Sequence, residues 1–194
     1  MYGSEVLAAL ERMNGNGPCA VIVRHAARHP ITDLQRSLEV GLTDEGMSDA
    51  QRFGSALEKF STVRLFHSPA LRCRQTAESM MRGLEGNGTA VSLTGPERNL
   101  CAPYLKDDSC LTRAAQIGKG FIREWFDGGL DSEWILDTAT AADMVMAPIV
   151  SKLSEDGGAD RLDIHVSHDW EISLLREELF GLRYEDVGWP PFMD

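Results

Sequence analysis

No stretch of the chain approaches the roughly 20 consecutive apolar residues that a membrane-crossing helix requires, and no membrane partner is expected. An excess of basic charge is also missing. The net charge is −11, which argues against nucleic acid or an anionic membrane surface as a partner. Cysteine is scarce: Cys19, Cys73, Cys101 and Cys110 show no C-x-x-C spacing. They read as free thiols rather than a zinc site or a disulfide framework. The segment Met1 to Asn14 carries Glu5 and Glu11 and lacks the basic start of a signal peptide, so a cytoplasmic location is expected. Internal repeats, linkers and low-complexity segments are absent from the sequence as well.

What remains is an ordinary globular composition. With 194 residues, 43% hydrophobic and 25% charged, the chain suits one domain spanning 1–194 with a substantial core. The charge is unevenly placed. Residues 1–120 hold 14 Lys+Arg against 13 Asp+Glu, whereas 121–194 hold 5 against 17. Arginine dominates the cations of the first part, which suits local recognition of a phosphate better than a diffuse basic surface.

Patterning gives the order of elements. Val6, Leu7, Leu10 and Met13 have helical spacing, and Asn14-Gly15-Asn16-Gly17-Pro18 reads as the turn that ends the helix. Cys19–Val23 is a β-branched run of the kind found in buried strands. Residues 31–42 read as loop, in part helical. Thr43 opens a helix with a hydroxyl cap and two carboxylates in its first turn, and its apolar stripe runs to about Phe60. Thr62–His67 is a second strand. Ser68 and Pro69 are expected as N-cap and first residue of a helix through Leu71, Cys73, Ala77 and Met80. Ala90–Leu93 is a third strand, and 94–108 a loop. A helical stripe from Leu111 through Gly118 to Trp125 follows, then a helix over Ala141–Leu153 that Pro148 should kink or restart. After a break at Gly157-Gly158, Leu162–Ser167 alternates like a strand. A last helix starts at His168-Asp169 and is capped at Gly181, and the end of the chain is irregular and apolar. The expected fold is α/β: one three-layer α/β/α domain with a mostly parallel central sheet.

The chemistry-bearing residues sit where strands end. They are Arg24-His25-Ala26-Ala27-Arg28-His29-Pro30, Ser68-Pro69-Ala70-Leu71-Arg72 and Ser167-His168-Asp169. If the strands are parallel, these junctions share one edge of the sheet, where open α/β sheets place their ligands. Arg24, Arg28 and Arg72 then supply guanidiniums for the oxygens of one phosphoryl group. His25 is the candidate nucleophile, His168 a fourth donor to the phosphoryl group, and Asp169 the proton donor to the leaving alcohol. The arginines should keep His25 neutral. They and the helix N-terminus also favour ionised Asp169, so activity that depends on this acid should be greatest at acidic pH.

At these residues the sequence resembles the histidine phosphatase superfamily, whose members share Arg-His-Gly after the first strand. Arg24-His25-Ala26-Ala27-Arg28-His29-Pro30 is similar to the extended motif of its acid phosphatase branch, with Ala26 in place of glycine. Ser68 through Ala77 resembles the family's Ser-x-x-x-Arg-Ala-x-x-Thr-Ala signature, with Cys73 in place of the first alanine. His168-Asp169 resembles the His-Asp pair of the acid phosphatase branch. The phosphoglycerate mutase branch takes its acid from a glutamate elsewhere, for which Glu97 is the candidate. The length is closer to the compact mutase-like branch, without room for the large helical domain of phytases. The resemblance implies a phosphoglycerate mutase-like fold and a metal-independent phosphatase with no cofactor. Such an enzyme forms a phosphohistidine and acts on a small phosphorylated molecule or a phosphopeptide. Residues 94–140 would be a specificity insertion. A phosphomutase and a non-catalytic phospholigand-binding protein are the alternatives. A metal-dependent reading of His25 with His29, or of His168-Asp169 as in all-helical HD-domain phosphohydrolases, ranks lower, because both pairs follow β-patterned runs. His29, His67 and His165 read as structural or surface residues, with His29 or His67 at the pocket rim, and Trp125, Trp134, Trp170 and Trp189 read as core or edge aromatics.

Overall fold

The computed structural model describes residues 3–13, 17–107, 109–155, 158 and 160–194. The turn expected at Asn14-Gly15-Asn16 and the glycine break at Gly157 lie outside the described residues. Four parallel strands, β1 (Cys19–Arg24), β2 (Thr62–His67), β3 (Ala90–Thr94) and β4 (Arg161–Ser167), form one sheet in the order β1-β4-β2-β3. Eight helices accompany them among the described residues: α1 (Ser4–Arg12), α2 (Asp44–Ser55), α3 (Leu71–Gly86), α4 (Ser109–Ile117), α5 (Lys119–Phe126), α6 (Thr138–Leu153), α7 (Asp169–Phe180) and α8 (Tyr184–Val187). The expected α/β architecture with a parallel sheet is therefore the observed one.

The period of two along β1 divides the molecule into layers. Cys19, Val21 and Val23 face a core with Leu7 and Leu10 of α1, Phe53 of α2 and Met80 of α3. Ala20 and Ile22 face Phe66, Leu100 and Ile149 on the other side. Residues 102–145 build a further core of their own, with Tyr104, Phe121, Ile122 and Trp125 closed against Leu174 and Leu175 of α7. On the first face α2 and α3 touch backbone to backbone. A Cβ on Gly54 would lie 2.1 Å from the Met80 carbonyl oxygen, and one on Gly83 2.2 Å from that of Gln51. Those glycines are needed for close approach rather than for chain flexibility.

Four local expectations are corrected. α2 ends at Ser55 rather than near Phe60. Ser68 does not cap α3; the N-cap is Ala70, whose N–H bonds back to Ser68 Oγ at 3.2 Å. The stripe from Leu111 to Trp125 is two helices, broken at Gly118 with φ +69°. α6 runs through Pro148 without restarting. Proline there has no N–H for the carbonyl of Met144, one turn earlier. Asn99 Nδ2 donates to that oxygen instead, at 2.9 Å. A 3-10 segment, Leu34–Glu39, lies in the stretch expected as loop and in part helical, and a second, Arg98–Leu100, in a stretch read as loop.

β4 is buried at all seven positions, although it carries Arg161, Asp163 and His165. The charges are paired inside the fold. Asp163 takes Arg64 Nε at 2.8 Å and Nη2 at 2.7 Å, and Arg161 Nε lies 3.2 Å away. His165 stacks on Phe66 with ring centroids 4.7 Å apart.

Candidate active site

Because β4 lies between β1 and β2, the carboxyl ends of these three strands are adjacent. Arg24 pairs with Ser167 in register, and His67 with Val166. His25, Ser68 and His168 each follow directly, so residues about 140 positions apart in sequence meet. Thr43 clamps the loop after β1 from behind, its N–H donating to the Ala27 carbonyl at 3.0 Å. The packing leaves no room between this loop and α2, since a Cβ on Gly46 would sit 2.1 Å from the same oxygen.

His25 is 2% exposed. Its Nδ1 lies 2.8 Å from the Ala26 carbonyl oxygen. A carbonyl only accepts, so Nδ1 carries the proton and Nε2 holds the lone pair of the ring. Burial, then the charges of Arg72, Arg24 and Arg28, push the pKa of His25 down to about 3. The ring is neutral through the physiological range.

Each of the three arginines is anchored on a main-chain carbonyl. Arg24 Nη1 donates to Pro190 O at 2.6 Å, Arg28 Nη1 to His29 O at 2.9 Å, and Arg72 Nη1 to Ser37 O at 2.6 Å. Arg24 and Arg28 have their pKa values lowered by burial, and the neighbouring guanidiniums act in the same direction. Three like charges thus crowd around a neutral imidazole, with Asp169 as the carboxylate that offsets two of them. Such a cluster favours an anion, and a phosphoryl group has the oxygens to match it.

His168 is at the N-cap of α7 and 5.5 Å from the His25 ring, centroid to centroid. Arg72 Nη2 lies 3.2 Å from His168 Nδ1, and Ser68 Oγ 2.8 Å from Nε2. Guanidinium only donates, so Nδ1 accepts and Nε2–H donates to Ser68. In this arrangement His168 donates to Ser68; service as a fourth phosphoryl donor requires an added proton or a turn of the ring. Burial and the same arginines hold its pKa well below the ordinary value.

Asp169 forms an ion pair with Arg24 Nη2 at 2.8 Å through Oδ2 and accepts from Trp189 Nε1 at 3.0 Å on the same oxygen. Glu97, the alternative acid, pairs with Lys152 at 3.0 Å, and its N–H donates to the His67 carbonyl. His29 is exposed in an extended segment, so His25 and His29 do not form the helical pair that a zinc site would use. Ala26 is fully buried in the core beside β1, and its N–H donates to Thr76 Oγ1 at 3.0 Å. Its φ is not positive. The methyl group therefore packs without backbone strain where the resembled motif has glycine.

Sequence reasoning missed three contributors. Ser68 orients His168, Thr76 ties α3 to the loop after β1, and residues 189–194 wrap Arg24. The hydroxyls lay within the quoted motif, but the 189–194 segment has no periodicity to mark it. A cavity of about 430 Å³ lies beside that segment, lined by Glu5, Arg176 and Phe192 among others. None of the three arginines and not His25 is among its lining residues.

The buried histidines have a consequence for stability. Unfolded, His25, His165 and His168 take up protons below the ordinary pKa of 6.5; folded, His25 and His165 do so only near 3 and 4. The unfolded state thus binds more protons as pH falls, so stability is full above 6.5 and declines below it. Buried Glu171, raised to about 7, acts in the opposite direction, one group against three. Urea midpoints should fall between about pH 7 and about pH 5, by a few kcal/mol in stability.

The family model described as histidine phosphatase superfamily (branch 1) matches residues 20–93. The match contains Arg24, His25, Arg28 and Arg72 but ends before His168-Asp169. Comparison with curated protein sequences finds no match. Among solved structures, phosphoglycerate mutase from Bacillus anthracis str. Sterne is similar with a TM-score of 0.56 at 16% identity, covering 84% of this chain and 79% of that one. A mycobacterial glucosyl-3-phosphoglycerate phosphatase in complex with inorganic phosphate gives 0.54 at 18%, covering 87% and 81%. These likenesses establish a phosphoglycerate mutase-like fold, with both a mutase and a phosphatase among the proteins that share it. No helix among the described residues is long and apolar enough to cross a membrane.

Proposed function

We propose that this chain is a metal-independent histidine phosphatase that hydrolyses phosphomonoesters through a phosphohistidine on His25. The observation that carries the reading is the convergence of Arg24, Arg28 and Arg72 on a neutral His25 whose Nδ1–H is tied to the Ala26 carbonyl. The phosphate oxygens replace or join the carbonyl contacts of the three guanidiniums. Nε2 of His25 forms a bond to phosphorus as the ester P–O bond breaks. Asp169, protonated on Oδ1, gives its proton to the departing oxygen, so the leaving group departs as an alcohol. Water then attacks the phosphohistidine while the Asp169 carboxylate takes a proton from it. Inorganic phosphate leaves, and both side chains return to their starting states. The arginines stabilise the charge of both transition states.

The substrate is a small phosphorylated molecule or a phosphopeptide. Residues 94–140, packed on their own core against α7, supply its specificity. The test is phosphate release from a panel of phosphorylated sugars, nucleotides, amino acids and peptides in excess chelator. Free phosphate from at least one compound supports a metal-independent hydrolase. Transfer between positions of one substrate without free phosphate would make it a mutase, and chelator-sensitive release would contradict the reading.

A further inference from the structure

We propose that Trp189 is a positioning residue that holds Asp169 as proton donor; the inference rests on the acid role assigned to Asp169 above. The indole Nε1–H donates to Asp169 Oδ2 at 3.0 Å, and Arg24 Nη2 approaches the same oxygen at 2.8 Å. Both contacts fall on Oδ2, which leaves Oδ1 as the oxygen that carries and delivers the proton. Without the indole, a single ion pair would leave the carboxyl free to rotate and present either oxygen to Arg24.

The segment that carries Trp189 is fastened to the site itself. Pro190 O accepts from Arg24 Nη1, and the Arg24 guanidinium lies over the Phe192 ring at 4.4 Å. The Phe192 ring is 5.6 Å from that of His25. Arg24 N–H donates to Asp194 O at 2.7 Å, Met193 N–H donates to Arg24 O at 3.1 Å, and Met193 is fully buried. The Asp194 carboxylate pairs with Arg176 of α7, the helix that Asp169 begins. Tyr184 packs edge-on against the indole at 5.2 Å. The indole is thus held by the Tyr184 ring and by a segment fastened to Arg24 and α7.

The choice of side chain is chemically apt. Indole is a neutral donor and never an acceptor. It fixes Oδ2 without bringing a further positive charge to a carboxyl that must hold a proton. A lysine or arginine in its place would favour the carboxylate and oppose the acid role.

The test compares two aryl phosphates on the same protein. 2,4-Dinitrophenyl phosphate expels a stable phenolate and needs no proton; phenyl phosphate needs one. In Trp189→Phe, kcat/KM for phenyl phosphate should fall about 10-fold, with the dinitrophenyl ester changed by less than about twofold. Asp169→Asn should show the same selectivity, more strongly. The ratio of the two substrates is independent of how much of a preparation is folded. An equal loss on both esters in Trp189→Phe, or no loss on either, beside a selective Asp169→Asn overturns the positioning role alone. An Asp169→Asn variant without selectivity overturns the acid assignment, and the inference with it.

Discussion

His25→Ala is expected to lower kcat for any phosphomonoester by at least about 10⁴-fold, the scale seen when a covalent nucleophile is removed. The loss should be of chemistry and not of binding. Arg24, Arg28 and Arg72 keep their anchors on Pro190, His29 and Ser37, none of which involves the imidazole. Inorganic phosphate should therefore bind the variant within a few-fold of the wild type by calorimetry. The His25 side chain contributes its Nδ1–H bond to Ala26 O and ring contacts with His168 and Phe192, none of which fastens an arginine. A variant that turns over at more than about a hundredth of the wild-type rate would place the nucleophile elsewhere.

The second large effect is on stability. Asp163→Ala should destabilise the fold by about 3–5 kcal/mol, read from urea denaturation. Asp163 is fully buried at the middle of the sheet and receives two bonds from Arg64 and the approach of Arg161 Nε. Its removal leaves Arg161, 1% exposed, without a paired carboxylate among the described residues. The remaining bonds of Arg161 run to the main-chain carbonyls of Glu155, Lys152 and Leu153, which do not neutralise a cation. An uncompensated buried charge costs more than the lost hydrogen bonds alone. Asp163→Asn, which keeps an acceptor and the volume, should lose less. Equal loss in both variants would indicate that packing rather than charge dominates.

How much of this was legible in the sequence depends on whether the signal was local. Cys19–Val23 and Thr62–His67 announced themselves as strands because both of their faces are covered. The glycine at the end of α7 was readable because Gly181 adopts φ +65°, which other residues avoid. Once the strands were parallel, their shared edge brought Arg24, His25, Arg72 and His168 together without further information. What failed was settled by distant partners. Nothing near Pro148 indicates that Asn99 donates to the Met144 carbonyl, and nothing near Ser68 that its hydroxyl also meets His168. Gly118 fits an apolar stripe by composition, yet its φ of +69° splits the helix. Trp189 and Phe192 had no pattern at all; their role follows from β1 leaving an edge on which Met193 and Asp194 can pair.

The central claim is a phosphorylated His25, and rapid acid-free quenching of the wild type with a turning-over phosphomonoester tests it most directly. Peptide mass spectrometry should find phosphate on the His25 peptide and on no other, lost on brief acid treatment and stable to base. Active protein that carries no phosphate there, or carries it on another residue, would contradict the account.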